Sequence, residues 1–164
     1  GFIFSRFRYI CSMENLNLPN YEFKIKAKDE KLYILDSIRK KYLVLTPEEW
    51  VRQNFIEFLN LEKGYPKSLM KQELGMKYNH MDKRSDIVCH DSSGLPLVLV
   101  ECKRTTVKIT QKTFDQIARY NMVLKVQHLA VTNGLEHYFC KIDHQNKRYT
   151  FLKEVPSYNE LTKP

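Results

Sequence analysis

Residues 97–103, Leu97-Val98-Leu99-Val100-Glu101-Cys102-Lys103, decide the fold of this chain. They begin as a continuous apolar run, which is typical of a central β-strand covered on both faces. Because side chains alternate along a strand, Leu99, Glu101 and Lys103 share one face. An acid and a lysine at the end of a buried strand are costly unless they are paired or bind something. The stretch therefore predicts a central strand that ends in charged side chains with a partner or a ligand.

A second carboxylate lies upstream of this strand end. Asp86 opens a short candidate strand, 86–89, and Asp91-Ser92-Ser93-Gly94 after it has the composition of a tight turn. If the two strands pair as a hairpin, Asp86 and Glu101 converge at one end. Two neighbouring carboxylates repel each other, and a hard divalent cation such as Mg²⁺ removes that conflict. Lys103 would then position or deprotonate a water next to the metal.

The spacing of an acid two residues before a lysine is by itself uninformative in so basic a chain. It occurs at 22–24, at 29–31 and at 101–103. Only the third example closes a buried apolar strand and follows an acid on an upstream strand. The information lies in that context. A structural ion pair at a sheet end remains the alternative to a metal site.

The surrounding chain predicts a central mixed β-sheet flanked by helices. Residues 21–45 alternate apolar and charged positions, which indicates a β-rich N-terminal arm. A helix starts at Thr46-Pro47-Glu48-Glu49, where Thr46 can cap and Glu49 occupies the capping-box position, and it stops at Gly64-Tyr65-Pro66. The remaining predicted elements are strands at 69–77, 86–89 and 97–103, a helix from between 110 and 113 to about 124, a strand at 129–132, and a hairpin of 138–143 with 148–152.

Composition favours a soluble protein with a polyanionic partner. The 164 residues carry a net charge of +8, and the pI is near 9.3, which favours nucleic acid over an anionic membrane surface. No apolar run approaches the roughly 20 residues of a membrane span, and no secretory signal opens the sequence. The cysteines at 11, 89, 102 and 140 lack the paired spacing of disulfide scaffolds or structural zinc sites. Free thiols and a cytoplasmic location are therefore expected.

We expect one domain at residues 13–156, made of the arm at 21–45 and a catalytic core at 46–152. Gly1 is not a natural initiator, so residues 1–12 are interpreted as added or upstream sequence before a native start at Met13. Residues 157–164 are expected to form a flexible tail.

Arg84-Ser85-Asp86-Ile87-Val88, followed by the strand at 97–103, resembles the PD-(D/E)xK nuclease superfamily. Within it, residues 21–152 are most similar to the N-terminal nuclease domain of type I restriction enzyme R subunits. Gln116-Ile117-Ala118-Arg119-Tyr120 matches the QxxxY signature of the restriction and exonuclease branches, and Thr132-Asn133-Gly134 fits the strand end that follows. Ser85 stands where the superfamily's name has a proline. The five glycines form no GxxxxGK[ST] loop, so ATP-driven translocation is not assigned to this chain.

The resemblance implies an α/β restriction-endonuclease-like fold and a set of site residues. Asp86 and Glu101 would bind Mg²⁺, or Mn²⁺ as a substitute, with the Cys102 carbonyl as a further ligand. Lys103 would orient the attacking water or stabilise the developing charge, and Glu49 would add a helix-borne acid.

Further residues are candidates for contact with DNA. The resemblance implies that Gln116 and Tyr120, which lie on one helical face, touch the DNA backbone or brace the active-site lysine. Position and charge add further candidates for phosphate contact: Arg104, directly after the strand, and Arg39, Lys40 and Lys41 in the arm.

Two of these assignments have a structural alternative. Glu49, an acid in the first turn of a helix, already satisfies the helix dipole. Gln116 is also placed to be the capping-box partner of Thr113, and Tyr120 to be a half-buried aromatic.

The function expected from the resemblance is Mg²⁺-dependent endonucleolytic hydrolysis of DNA phosphodiester bonds. The alternative is a catalytically silent nuclease-like module that serves DNA binding or assembly in a restriction or repair complex. The expected partners are DNA and other subunits of a restriction system, without a membrane. A homodimer stays open, because double-strand cleavage by one small site needs a second copy or a second visit.

Overall fold

The computed structural model describes residues 13–72, 76–78, 81–83 and 87–164. Asp86 and residues 1–12 therefore lie outside the described residues. The strands are β1 (Ile25–Lys28), β2 (Lys31–Leu35), β3 (Tyr42–Val44), β4 (Met70–Lys71), β5 (Met76–Tyr78), β6 (Met81–Lys83), β7 (Ile87–His90), β8 (Pro96–Cys102), β9 (His128–Thr132), β10 (His137–Asp143) and β11 (Arg148–Leu152). The helices are α1 (Pro47–Glu57), continued by a π-helical turn (Phe58–Glu62), α2 (Gln111–Leu124) and α3 (Tyr158–Thr162), with a 3₁₀ turn at Lys67–Leu69.

Among the helices that the structure describes, none has the length and apolarity that a membrane crossing requires.

The main sheet has six strands in the order β11-β10-β9-β8-β7-β4. β8 lies inside it, antiparallel to β7 and parallel to β9, and Val100 is opposite both Ile87 and Ala130. Every residue of β9 is buried, as expected for a strand covered on both faces. The mixed α/β sheet with residues 97–102 on an inner strand confirms the fold predicted from the sequence.

Helices cover the two faces of this sheet. On one face, α1 contributes Phe55 to a core cluster that includes Cys102 of β8. On the other face, α2 contributes Phe114 to a second cluster that includes Leu99. Leu99 and Cys102 thus point to opposite faces, and alternation along β8 puts Glu101 on the face that α2 covers.

The N-terminal arm is rich in β-structure, as predicted, and it forms a separate three-stranded antiparallel sheet in the order β1-β2-β3. Asp29 and Glu30 form a two-residue hairpin loop with φ values of 51° and 63°, the left-handed geometry that such a loop needs. The first strand begins at Ile25 and not at Tyr21. Ile25 pairs with Ile34 as the last residue pair of the ladder, and beyond it the Leu35 N–H donates to the Lys24 carbonyl at 2.9 Å.

The start of α1 follows the prediction in part. Thr46 is the N-cap, and its hydroxyl accepts the Glu49 N–H at 3.1 Å. The return bond of a capping box is replaced, since the Thr46 N–H donates to the Val44 carbonyl at 3.0 Å. The Glu49 carboxylate instead accepts hydrogen bonds from Arg52 and Gln53.

The amphipathic strand predicted at 69–77 is wrong in extent. The structure has the two-residue β4 at the edge of the main sheet, and β5 pairs with β6 in a separate two-stranded sheet. β4 pairs with β7 through Met70 opposite Cys89 and Lys71 opposite Val88, and residues 73–75 of the predicted strand lie outside the described residues.

The flexible tail predicted at 157–164 is also wrong, because this segment contains helix α3. Ser157 and Glu160 form a complete capping box, a sequence signal that was available to prediction. The Tyr158 N–H donates to the Lys63 carbonyl at 2.8 Å, which ties the helix to the end of the π-helical turn.

Candidate active site

Glu101 and Lys103 lie together at the carboxyl end of β8. The Lys103 Nζ is 3.2 Å from Glu101 Oε1, and their side chains are 32% and 18% exposed, respectively. This edge of the sheet is also the carboxyl end of the parallel neighbour β9, and ligands of α/β proteins bind at such edges. The charged strand end predicted from the sequence therefore has an ion pair that solvent can reach.

Cys102 separates these two residues and faces the other way. It is 1% exposed and belongs to the core cluster under α1. Its thiol is therefore packed in the core. The predicted metal ligand is the backbone carbonyl of Cys102, not the thiol.

The hairpin between β7 and β8 has the turn that its sequence predicts. Asp91 Oδ1 accepts the N–H groups of Ser93 and Leu95, both at 2.9 Å, and the Gly94 N–H donates to the Asp91 carbonyl at 3.0 Å. The register puts Val88 opposite Leu99 and Ile87 opposite Val100. Asp86, the second predicted metal ligand, lies outside the described residues.

The loop at residues 103–107 is fixed to the end of β9. The Lys103 N–H donates to the Thr132 carbonyl at 2.8 Å, and the Asn133 side-chain amide donates to the Val107 carbonyl at 3.0 Å. Arg104, the predicted phosphate contact, is exposed on this loop. The Asn133 of the Thr132-Asn133-Gly134 stretch thus organises the loop that carries Lys103 and Arg104.

An acid from the beginning of the described chain reaches the same loop. The Thr105 hydroxyl donates to the Glu14 carboxylate, and the Trp50 indole N–H donates to the Glu14 carbonyl at 3.0 Å. Glu14 has no recognisable signal in the sequence, because a single acid in an irregular polar segment forms no pattern. We call residues 13–18 the strap, since they connect α1 to this loop.

Glu49 lies in the first turn of α1 and is compensated within that helix. Its side chain is 7% exposed, one carboxylate oxygen is ion-paired with Arg52, and the other accepts from Gln53 at 2.9 Å. α1 packs on the Cys102 face of β8, whereas Glu101 shares the Leu99 face. The catalytic role predicted for Glu49 stays a prediction.

The basic residues predicted in the arm differ in what they contact. Arg39 Nε is 2.8 Å from Asp36 Oδ2, and Asp36 is buried. Burial alone would raise the pKa of Asp36, but hydrogen bonds from Arg39 and from the backbone N–H groups of Ile38 and Arg39 hold it below its ordinary value. Arg39 is thus engaged in a structural ion pair, whereas Lys40 and Lys41 are exposed.

The helix that covers the Glu101 face of the sheet, α2, carries exposed polar residues. The helix starts at Gln111, and the hydroxyl of the preceding Thr110 accepts the Thr113 N–H at 3.2 Å. Thr113 therefore lies inside the helix, and the capping box that was the structural alternative for Gln116 is excluded. Gln116 is exposed, and Lys112 and Arg119, four residues before it and three after it, are exposed as well. Tyr120 lies in α2, and its side chain is outside the described part of the chain.

Buried thiols play no part in this arrangement. Cys89, Cys102 and Cys140 are free and buried. Burial raises the pKa of the Cys89 and Cys140 thiols to about 12, so both stay protonated near neutral pH. Over the described residues, no group of three or more His, Cys, Asp or Glu side chains is arranged to hold a metal ion.

A comparison with protein families identifies the family of this chain. Residues 47–156 match the family model of the type I restriction enzyme R protein N terminus (HSDR_N). The chain belongs to this family. Its fold is similar to the fragment structure of a protein assigned as the HsdR subunit of a type I restriction enzyme from Vibrio vulnificus YJ016, with a TM-score of 0.51 and 19% sequence identity. The alignment covers 71% of this chain and 24% of the Vibrio chain, so the chain spans about a quarter of that neighbour's length. No curated protein matches the chain in sequence.

The R-subunit N-terminal domain thus brings part of its predicted site together. Glu101 and Lys103 are in contact, and Arg104 follows them on a fixed loop. Glu49 belongs to α1, which packs on the Cys102 face, and its carboxylate contacts Arg52 and Gln53. Asp86 is outside the described residues. The structure adds hydrogen bonds of Glu14, Thr105 and Asn133 around the loop that follows Lys103.

Proposed function

We propose that this domain hydrolyses DNA phosphodiester bonds with a divalent cation held by Asp86 and Glu101. The family is that of a restriction enzyme subunit, which supports a nuclease-related role. The observation that carries the proposal is the Glu101–Lys103 pair at the carboxyl end of β8, with Nζ and Oε1 3.2 Å apart. The β7–β8 register supports Asp86 as the second ligand, because Asp86 precedes Ile87 and Glu101 follows Val100, the residue opposite Ile87.

The donor chemistry at this edge fits Mg²⁺. Glu101 supplies a partly exposed carboxylate, and hard cations of this kind prefer oxygen ligands. The Cys102 carbonyl and the Asp86 carboxylate would complete the protein ligands, and Mn²⁺ would substitute for Mg²⁺. Such a cation polarises the phosphate and lowers the pKa of a bound water.

Lys103 supplies the other half of the proposed chemistry. Its Nζ carries three donors and a positive charge next to Glu101 Oε1. That ammonium would orient the attacking water and stabilise negative charge on the phosphate oxygens as the bond to water forms.

Exposed basic residues on the loop after Lys103 and on α2 suit a DNA backbone. Arg104 lies on the loop after Lys103, and Lys112 and Arg119 flank Gln116 on the exposed side of α2. Tyr120, Lys40 and Lys41 remain proposed contacts, whereas Arg39 already pairs with Asp36. Binding should weaken with salt, with a log–log slope of roughly −0.9 for each duplex phosphate neutralised.

The proposal is tested by nicking of supercoiled plasmid with Lys103→Ala beside Lys153→Ala, a matched change at an exposed lysine beyond β11. We expect Mg²⁺ or Mn²⁺ to support cleavage and Ca²⁺ to permit binding without turnover. Lys103→Ala should lower the rate by about 10²–10⁴-fold, the usual range for a group that assists proton transfer. The control should cleave like the wild-type protein.

Undiminished cleavage by Lys103→Ala would remove the catalytic assignment. If the wild-type protein retains DNA but cleaves it under no metal condition, the domain is instead the silent DNA-binding or assembly module. A flat salt response would argue against DNA as the partner.

A further inference from the structure

We propose that Glu14 is a positioning residue of the active site and that the strap at residues 13–18 fixes the loop that carries Lys103 and Arg104. This inference rests on the proposed function, because it concerns the geometry of the same site. The strap precedes the part of the chain that the family model matches, residues 47–156.

The strap is anchored beside the end of β9. The Asn17 N–H donates to the Gly134 carbonyl at 2.8 Å, and the Asn17 carbonyl is 2.9 Å from His137 Nε2. Leu16 packs so closely on Gly134 that a Cβ built there would lie 2.7 Å from Leu16 Cδ2 and 3.1 Å from Val51. Gly134 also has a φ of +87°, so both its conformation and its contact with the strap favour glycine.

From this anchor the strap crosses the start of α1 and ends at the loop. The Trp50 indole holds the Glu14 carbonyl at 3.0 Å, and Trp50 directly follows Glu49 in the chain. The Glu14 carboxylate then accepts the hydroxyl of Thr105, two residues after Lys103. One short segment therefore joins the α1 terminus, the end of β9 and the loop after β8.

The middle of the loop has one other described hydrogen bond, an internal turn in which the Val107 N–H donates to the Arg104 carbonyl at 3.0 Å, and the contact with Glu14 adds a link to another segment. The two bonds from the β9 side hold Lys103 and Val107, at the ends of the loop. Thr105 is in the middle, where the Glu14 carboxylate holds it. A hydrogen bond to an ionised acceptor is roughly twice as strong as a neutral one. Glu14 therefore limits the movement of the residues on either side of Thr105, including Arg104.

This arrangement matters for catalysis because small errors in position are costly. A misplacement of about 1 Å far from the reacting atoms can cost on the order of 10²-fold in rate. Glu14 is exposed and touches the loop rather than the proposed reacting groups, so its effect should fall on the chemical step more than on DNA affinity.

The test compares Glu14→Ala and Thr105→Val with the double variant, and uses Asn15→Ala as the control. Asn15 is an exposed neighbour in the same strap. We expect each single change to lower the single-turnover cleavage rate with Mg²⁺ by about tenfold. The dissociation constant for DNA should stay within about twofold, because no proposed phosphate contact is removed. The double variant should be no slower than either single variant, since both remove the same bond.

A conservative change separates positioning from general stability. Thr105→Ser keeps the hydroxyl and should restore the rate, whereas Asn15→Ala should never lose it. Hydrogen exchange gives a readout that does not depend on activity. We expect the amides of residues 104–107 to exchange faster in Glu14→Ala and Thr105→Val, with the amides of β9 unchanged.

Losses that multiply in the double variant would overturn the inference, as would unchanged exchange at residues 104–107. A Thr105→Ser variant as slow as Thr105→Val would overturn it too. Failure of the proposed function looks different. In that case Lys103→Ala cleaves normally or the wild-type protein is inactive, while hydrogen exchange still shows whether Glu14 holds the loop.

Discussion

Two glutamates of this R-subunit domain occupy contrasting surroundings. Glu49 is 7% exposed at the start of α1, where Arg52 and Gln53 take its two oxygens. Glu101 is 18% exposed at the end of β8, and Lys103 lies 3.2 Å from one of its oxygens. Both are acids beside a cation, yet one pair is enclosed in the fold and the other opens onto the sheet edge.

The two ion pairs differ in burial, and burial affects how much an ion pair contributes to stability. The enclosed pair balances a carboxylate that the start of α1 buries, because a buried charge needs a partner. The pair at the strand end is partly exposed, where an ion pair adds little stability. We therefore expect Glu49 and Arg52 to contribute mainly to folding, and Glu101 and Lys103 mainly to activity.

The largest expected effect comes from neutralising each acid in turn. Glu101→Gln should lower Mg²⁺-dependent nicking by about 10²–10⁴-fold, in line with loss of a group that acts directly in the chemistry. Glu49→Gln should lower it by less than about tenfold, since this acid already has partners in α1. Both rates are measured by plasmid nicking at saturating metal. Equal losses would place Glu49 in the catalytic set and end the contrast.

The next effect concerns stability, which should fall more when the Glu49–Arg52 pair is broken than when the Glu101–Lys103 pair is broken. Arg52→Met removes the cation and leaves the Glu49 carboxylate buried, which costs about 3 kcal/mol of unfolding free energy by analogy with broken buried pairs. Lys103→Met, at the partly exposed pair, should cost less than about 1 kcal/mol. Urea unfolding of the two variants measures the difference. If both variants unfold at the same urea concentration, burial does not distinguish the two pairs.

Much of this architecture could be predicted because strong local patterns coincide with the tertiary fold. The run at 97–100 gave an inner strand, and Asp91-Ser92-Ser93-Gly94 gave the hairpin that sets its register with β7. The Glu101–Lys103 pair followed from strand alternation. These features depend on the nearest residues in the sequence, so they are visible without a structure.

The rest depended on contacts between distant residues. The hydrogen bond from Thr105 to Glu14 joins positions 91 residues apart, and the residues around Glu14 form no pattern that would predict it. In the sequence, Gln116 is equally compatible with a capping box and with a surface contact. The hydrogen bond from the Thr113 N–H to the Thr110 hydroxyl, which only the structure shows, excludes the capping box. α3 is different, because the capping box of Ser157 and Glu160 was present in the sequence and was missed.

The smallest expected effect is on the pH dependence of stability, and it concerns another buried ionisable group, His137, which contacts the strap. Burial lowers the pKa of His137 below its ordinary 6.5, although its hydrogen bond with the Asn17 carbonyl opposes this. The unfolded chain therefore binds the proton more readily, and stability should fall as pH drops from about 6.5 toward the folded-state pKa. His137→Gln should flatten that fall in thermal unfolding between pH 7 and pH 5. His128, whose pKa burial also lowers, is the matched site, and His128→Gln should flatten it in the same way. An unchanged slope in His137→Gln would show that His137 does not contribute.

The most direct test of the central claim is anomalous diffraction from a crystal soaked in Mn²⁺. We expect a manganese ion between the carboxylates of Asp86 and Glu101, about 2.1 Å from each nearest oxygen, with the Lys103 ammonium facing its bound water. Manganese absent from Glu101 at saturating concentration, or an Asp86 carboxylate turned away from it, would contradict hydrolysis at this site.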